Sequence, residues 1–183
     1  MKDLQDIISN RILLRPICSK DVSLIVQWKS DPLVRAMALN HSSQIDFQEQ
    51  RNDIEQAITA EDQFYYIICL KKDMGPIGYI RVNLTDDEGK IAWLRFALGT
   101  CREQGYMKES LIAFLTNLFN RGIVRIDAEV YQSNTRSQRL VESVGFCVEG
   151  QKREAHFNGQ NYEDIIVYGL LKKEWMPCQI PNC

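Results

Sequence analysis

The stretch "LGTCREQGYMKESLIAFLTNLF", residues 98–119, decides how this chain is read. Leu111, Phe114, Leu115 and Leu118 recur at i, i+3, i+4 and i+7, which predicts a helix with one wide apolar face. Gly122 follows where helices commonly stop. Just upstream, "KIAWLRFAL" (90–98) predicts a strand, and Gly105 stands between the two behind Arg102-Glu103-Gln104. A helix start leaves its first N–H groups without partners and carries partial positive charge. A glycine there lets the backbone close on an anion with no Cβ in the way. An ordinary strand-to-helix turn uses the same residue. The segment is not a Walker loop, because no G-K-[ST] follows, and it has one glycine where the dinucleotide fingerprint wants three. From these residues alone, phosphate loop and plain turn both stand.

Working outward, "RILLRPI" (11–17) predicts a strand, and "VSLIVQWK" (22–29) a short helix that Ser19 or Asp21 can cap and Pro32 breaks. Asp46 and Glu49 have capping-box spacing before a second helix with a thin apolar stripe at Ile54, Ala57 and Ile58. "FYYIICL" (64–70) suits a strand buried on both faces. "IGYIRVNL" (77–84) and "KIAWLRFAL" extend it into an antiparallel meander. In "VRIDAEVY" (124–131), Ile126, Ala128 and Val130 alternate with Arg125, Asp127, Glu129 and Tyr131. A short helix "TRSQRLVESV" follows, then a hairpin, "VEGQKREAHF" and "YEDIIVYGLL", turning at Asn158-Gly159. The expected fold class is therefore mixed α/β: one twisted, mostly antiparallel sheet of about seven strands flanked by about four helices. Residues 1–176 read as a single domain and 177–183 as a short tail.

Composition narrows the function. With 45% hydrophobic and 25% charged residues and a net charge of −2, the 183-residue chain reads as an ordinary globular protein without a basic footprint for nucleic acid. No apolar run approaches the ~18–20 residues that span a bilayer, and "MKDLQDIISN" does not read as a signal peptide. The six cysteines form no CxxC, and only His41 and His156 accompany them, so no zinc spacing exists. Reduced thiols, a cytoplasmic location and no metal are expected; Cys178 and Cys183 in the tail are the exposed candidates for oxidation.

At 102–107 the string resembles the R/Q-x-x-G-x-G/A loop with which the GNAT superfamily of N-acetyltransferases holds the pyrophosphate of acetyl-CoA: Arg102 and Gly105 match, and Met107 departs. "NTRSQRLVESVGF" (134–146) is similar to the N-x-x-S-x-x-L-x-E-x-x-G-F segment of the RimJ/RimL-like branch, which acetylates ribosomal-protein N-termini. "VEGQKREAHFNGQNYEDIIVYGLLKKEW" (148–175) resembles that branch's ending. "LLRPICSKD" also fits, and "QWKSDPLVR" is similar to enzymes acetylating nucleotide-linked amino sugars. The resemblance spans about residues 11–175 and implies the GNAT fold.

It further implies acetyl-CoA as cosubstrate, its pantetheine arm on the backbone of Phe96, Ala97 and Leu98 and its pyrophosphate on Arg102, Glu103, Gln104, Gly105, Tyr106, Met107 and Lys108, with Asn134 contacting the arm. As a bare residue, Asn134 is equally a helix cap. The tyrosine acid of many relatives is replaced by Val141, and a glutamate base by Ala92. That leaves Ser137 as a donor to the departing sulfur, Asp127 or Glu129 as the base, and water-mediated deprotonation as a third route. Glu154 and His156 lie in a hairpin that in the family borders the acceptor groove. The implied acceptor is an amine, whether a protein N-terminus, an amino sugar or another small amine; monomer and homodimer stay open. The competing class is a catalytically inactive acyl-CoA-binding or regulatory domain.

Overall fold

The computed structural model describes residues 4–37 and 45–176. His41, Cys178 and Cys183 lie outside the described residues. The strands are β1 (Ile7–Ile8), β2 (Ile12–Pro16), β3 (Gln63–Leu70), β4 (Pro76–Leu84), β5 (Ile91–Leu98), β6 (Arg125–Tyr131), β7 (Cys147–Phe157) and β8 (Tyr162–Leu171). The helices are α1 (Val22–Ser30), α2 (Pro32–Met37), α3 (Phe47–Thr59), α4 (Tyr106–Asn120) and α5 (Thr135–Ser143). One sheet holds all eight strands in the order β1-β2-β3-β4-β5-β6-β8-β7. Every pairing is antiparallel except β5 with β6.

This is the expected mixed α/β fold with two additions. β1 is two residues long, too short to show a period. Pro32 ends α1, with Asp31 extended ahead of it (φ −60°, ψ 123°), and then opens α2, where its missing N–H costs nothing.

Two cores sandwich the sheet. The alternation of β3 sends Phe64, Tyr66, Ile68 and Leu70 to one side, where Leu111, Phe114, Leu115 and Leu118 of α4 and Val141 of α5 meet them. Tyr65, Ile67 and Cys69 go to the other side, against Ile25 and Trp28 of α1 and Ile54 of α3. α4 and α5 close with Schellman turns: the Ile123 N–H donates to Leu118 O at 3.2 Å and that of Phe146 to Val141 O at 3.1 Å, past Gly122 (φ +101°) and Gly145 (φ +104°). Asp46 caps α3 by accepting the Glu49 N–H at 2.8 Å. Of the described cysteines, all free thiols, only Cys69 is buried.

Candidate functional site: a split in the sheet and a loop of free amides

β5 and β6 pair through Ile91↔Arg125, Ala92↔Ile126 and Trp93↔Asp127, and no further. Beyond that point both strands continue and separate. Parity fixes what each shows the gap. The Gly99 N–H donates to Ile77 O, so in the antiparallel β4–β5 ladder the odd residues of β5 bond to β4. Phe96 and Leu98 therefore turn their N–H and C=O groups into the gap. On the far side, the Gln132 N–H donates to Asp164 O and the Lys172 N–H to Val124 O, so the even residues of β6 bond to β8. The backbone of Glu129 then lines the gap opposite Phe96, while the Tyr131 carbonyl is taken by the Asn134 N–H at 2.9 Å and Gln138 Nε2 at 3.0 Å. Peptide groups without a strand partner, here those of Phe96 and Glu129 and the Leu98 N–H, are a template for an extended ligand rich in amides.

β5 runs out of the gap into the opening stretch. Positive φ at Cys101 (54°), Glu103 (66°) and Gly105 (78°) alternates with the ordinary φ of Arg102 and Gln104. Such alternation turns successive N–H groups to one concave side and makes an anion nest. Among the described residues, none accepts a hydrogen bond from any backbone N–H between Cys101 and Lys108; the first amide satisfied is that of Glu109, by Gly105 O at 3.1 Å. Eight consecutive free donors thus sit at the positive end of a 15-residue helix. At Gly105 an added Cβ would lie 3.5 Å from Arg11 Nη2, so it is the left-handed backbone and not crowding that calls for glycine.

Side chains brace this loop from outside. Arg102 Nη2 pairs with Asp31 at 2.9 Å and its Nε donates to Leu98 O at 3.2 Å, tying the loop to the α1–α2 junction. The Leu33 N–H and Arg102 together hold the Asp31 carboxyl below its ordinary range. Arg11 donates to Gln104 O at 3.1 Å, pairs with Glu109 at 2.7 Å and stacks over the Tyr106 ring. Burial works to raise the Glu109 pKa, but the Arg11 and Ser9 donors outweigh it and hold the carboxyl low. Glu103 pairs with Arg136 of α5 across the mouth of the gap. The Met107 side chain is buried in the core beside Leu111, so the departure from the loop pattern leaves the concave side clear. The Arg102 guanidinium is engaged by Asp31 and Leu98 O, so on the concave side the residue presents its backbone. Arg11, Asp31 and Arg136 were not singled out from the sequence. Each is joined to the loop over 33 to 93 residues, and one sequence carries no signal for pairs so distant.

At the end of β6, Asn134 caps α5: its Oδ1 accepts the Ser137 N–H at 3.1 Å. Its Nδ2 donates to no described residue. Ser137 is half-buried, and its hydroxyl is likewise without a partner among the described residues. Val141 and Ala92 are fully buried in the core, so neither position contributes a proton-transfer group.

Odd side chains of β5 and β6 emerge on the face away from α4. There Asp127 pairs with Arg125 at 2.6 Å and Glu129 with Lys152 at 2.5 Å. Asp127 belongs to the last β5–β6 pair, whereas Glu129 lies past it, on the gap. His156 stacks on Tyr131 at 3.9 Å, brought there by a bulge in which residues 153–155 oppose Asp164 alone. Glu154, at φ 50°, donates its N–H to Asp164 at 2.7 Å and stands in that bulge. Trp93 is half-exposed under the Arg95 guanidinium, not in the core.

Residues 11–147 match the family model described as "Acetyltransferase (GNAT) domain". A relative in Bacillus licheniformis, "Uncharacterized N-acetyltransferase p20", is 26% identical over 177 residues, 94% of this chain and 99% of that one. Among solved structures, the RimL ribosomal L7/L12 alpha-N-protein acetyltransferase in complex with coenzyme A superposes with a TM-score of 0.81 at 21% identity, over 91% of this chain and 98% of that one. The spermidine N-acetyltransferase of Vibrio cholerae, in complex with CoA and spermine, gives 0.82 at 16% identity, over 90% and 97%. The chain belongs to the GNAT acetyltransferases, the acetyl-CoA-dependent N-acetyltransferases.

Proposed function

We propose that this protein acetylates a primary amine, either a protein N-terminus or a small amine, with Cys101–Lys108 holding the diphosphate of acetyl-CoA and Phe96–Leu98 its pantetheine arm. The observation that carries the reading is the run of eight unpaired amides opening α4, set beside the peptide groups of Phe96 on β5 and Glu129 on β6 that face the gap without a strand partner. Acetyl-CoA supplies the thioester whose C–S bond breaks as the N–C bond forms.

The protein's own groups do the rest. An alkyl amine with a pKa near ~10 arrives protonated at neutral pH and must lose that proton before attack. Glu129 is the carboxylate on the gap and serves as base, directly or through water. Asp127, tied into the last strand pair and into Arg125, is the weaker candidate. Ser137, hydroxyl free in the first turn of α5, donates to the departing thiolate. The Phe96 N–H, in the same gap, is a donor for the developing oxyanion. Asn134 Nδ2 steadies the arm.

Mass spectrometry tests the reading. Incubation with acetyl-CoA and two acceptor sets, short peptides with free N-termini and small primary amines, yields acetylated product in at least one set. Binding of acetyl-CoA with no acetylated amine in either set would reduce the protein to an acyl-CoA-binding domain.

A further inference from the structure

Among the described residues, one face of the gap is filled and the other is not. The α4 side is filled by Leu94, Met107 and Leu111, so an amine approaches over the opposite face, where Trp93, Arg95, Asp127 and Glu129 emerge. On the β6 side of that face three carboxylates, Asp127, Glu129 and Glu149, stand against Arg125 and Lys152. On the β4–β5 side the excess is cationic. Arg81 and Arg95 are cross-strand partners, both aimed under α1 and α3, where Lys29 also points. Among the described residues, Asp53 is the carboxylate set among these three cations. Its two oxygens accept from Arg81 Nη1 at 2.8 and 2.9 Å, Arg81 Nη2 going to Gln63, while Lys29 donates to the neutral Gln50 at 2.5 Å and Arg95 to the neutral Asn83 with its guanidinium over Trp93.

Like charges packed this closely in a half-dry site oppose one another. Burial, with Arg81 and Arg95 nearby, pushes the Lys29 pKa down to about 8 against the pull of Asp53. Two guanidinium donors are also left over: Nε of Arg81, a residue 6% exposed, and Nε of Arg95 are buried without an acceptor among the described residues. Unsatisfied buried donors of one sign, in excess over their counter-ions, mark a place for an anion. Arg95 lies immediately before Phe96, on the rim of the gap where the amine must arrive.

We infer that the acceptor amine carries an anionic group, a carboxylate or a phosphate, which docks against Arg95 and Lys29 while its amino group faces Glu129. The inference rests on the transferase reading and sharpens it: a polycation such as spermidine is repelled by this face.

Matched amines test it: O-phosphoethanolamine and β-alanine as the phosphate and carboxylate arms, ethanolamine as the neutral arm, spermidine as the cationic one. One charge-assisted contact gives kcat/KM about tenfold or more in favour of an anionic arm. Arg95→Met removes the preference by raising KM and leaves acetyl-CoA affinity unchanged; Lys29→Gln weakens it in the same direction. Equal turnover of ethanolamine and the anionic arms, or a preference for spermidine, overturns the inference and spares the transferase. If none of these four amines turns over, a second readout decides the anion site: inorganic phosphate, which also fills the amide nest of both proteins, raises the melting temperature of the wild type by more than that of Arg95→Met. Equal shifts in the two proteins would refute it.

Discussion

Replacing Gly105 by aspartate places a carboxylate where the diphosphate belongs. Gly105 sits at φ +78°, ψ 0°, and the nearest atom to an added Cβ is Arg11 Nη2 at 3.5 Å, so the free protein has room for the side chain. The left-handed backbone costs a non-glycine residue about 1–2 kcal/mol, least for Asn and Asp. At about 1 kcal/mol, the melting temperature of a chain this size falls by roughly 2–4 °C. The effect on binding is larger. A carboxylate about 4 Å from one phosphate charge, at an effective dielectric of about 20, is opposed by ~4 kcal/mol. Alone this is roughly a thousandfold in Kd; Arg11 beside the new carboxylate offsets part, leaving at least about a hundredfold. Gly105→Asn has nearly the same shape and backbone demand without the charge, so it loses far less. Calorimetric titration with acetyl-CoA of the wild type, Gly105→Asp and Gly105→Asn gives the comparison. Equal weakening by Asp and Asn would show that shape and not charge is read, and Gly105→Asp binding as tightly as the wild type would refute the phosphate loop.

Other outcomes follow from neighbouring geometry. At Gly99 an added methyl overlaps the Trp28 indole, so Gly99→Ala destabilises by about 1–3 kcal/mol, seen as a lower urea midpoint, and weakens acetyl-CoA binding by displacing the loop's first residues. Ser137→Ala and Glu129→Gln each lower kcat by roughly a hundredfold with KM for acetyl-CoA unchanged, and the Glu129→Gln loss shrinks as pH rises toward the amine pKa; a pH-independent loss would assign Glu129 a structural role. Burial works to raise the Asp21 pKa, but the Arg15 fork at 2.7 and 2.8 Å and the Cys18 N–H prevail and lower it. A depressed carboxyl contributes stability that is complete above the unfolded value near ~4 and lost as pH falls through the folded value. Thermal melts of Asp21→Asn therefore fall below wild type by about 2–3 kcal/mol at pH 7, with the gap closing in acid below that value; a gap constant with pH would contradict the assignment.

What the sequence shows and hides follows from the range of each interaction. α4 was legible because four apolar residues keep one face from Leu111 to Leu118, and β3 because its residues 64–70 are an unbroken apolar run. Gly105 was legible as a place and not as a function, since one glycine serves a turn and a nest alike; the alternating φ of 101–105 that separates the two involves Cys101 and Glu103, residues with no preference for that conformation. β7 reads as a plain strand, yet Asp164 holds a three-residue bulge in it that carries His156 onto Tyr131. Arg81 and Arg95 look like the polar half of two alternating strands. Only the register that sets them opposite one another, under Lys29 of α1 and Asp53 of α3, reveals a buried basic cluster.

The central claim, that the free amides of residues 101–108 and the open edge of β5 receive acetyl-CoA, is tested most directly by backbone amide NMR. On titration with acetyl-CoA, the resonances of Glu103–Lys108 and of Phe96 and Leu98 move together to saturation, while those of the distant hairpin turn at 158–161 stay put. Shifts that leave Glu103–Lys108 untouched, or tight binding registered elsewhere on the sheet, would contradict it.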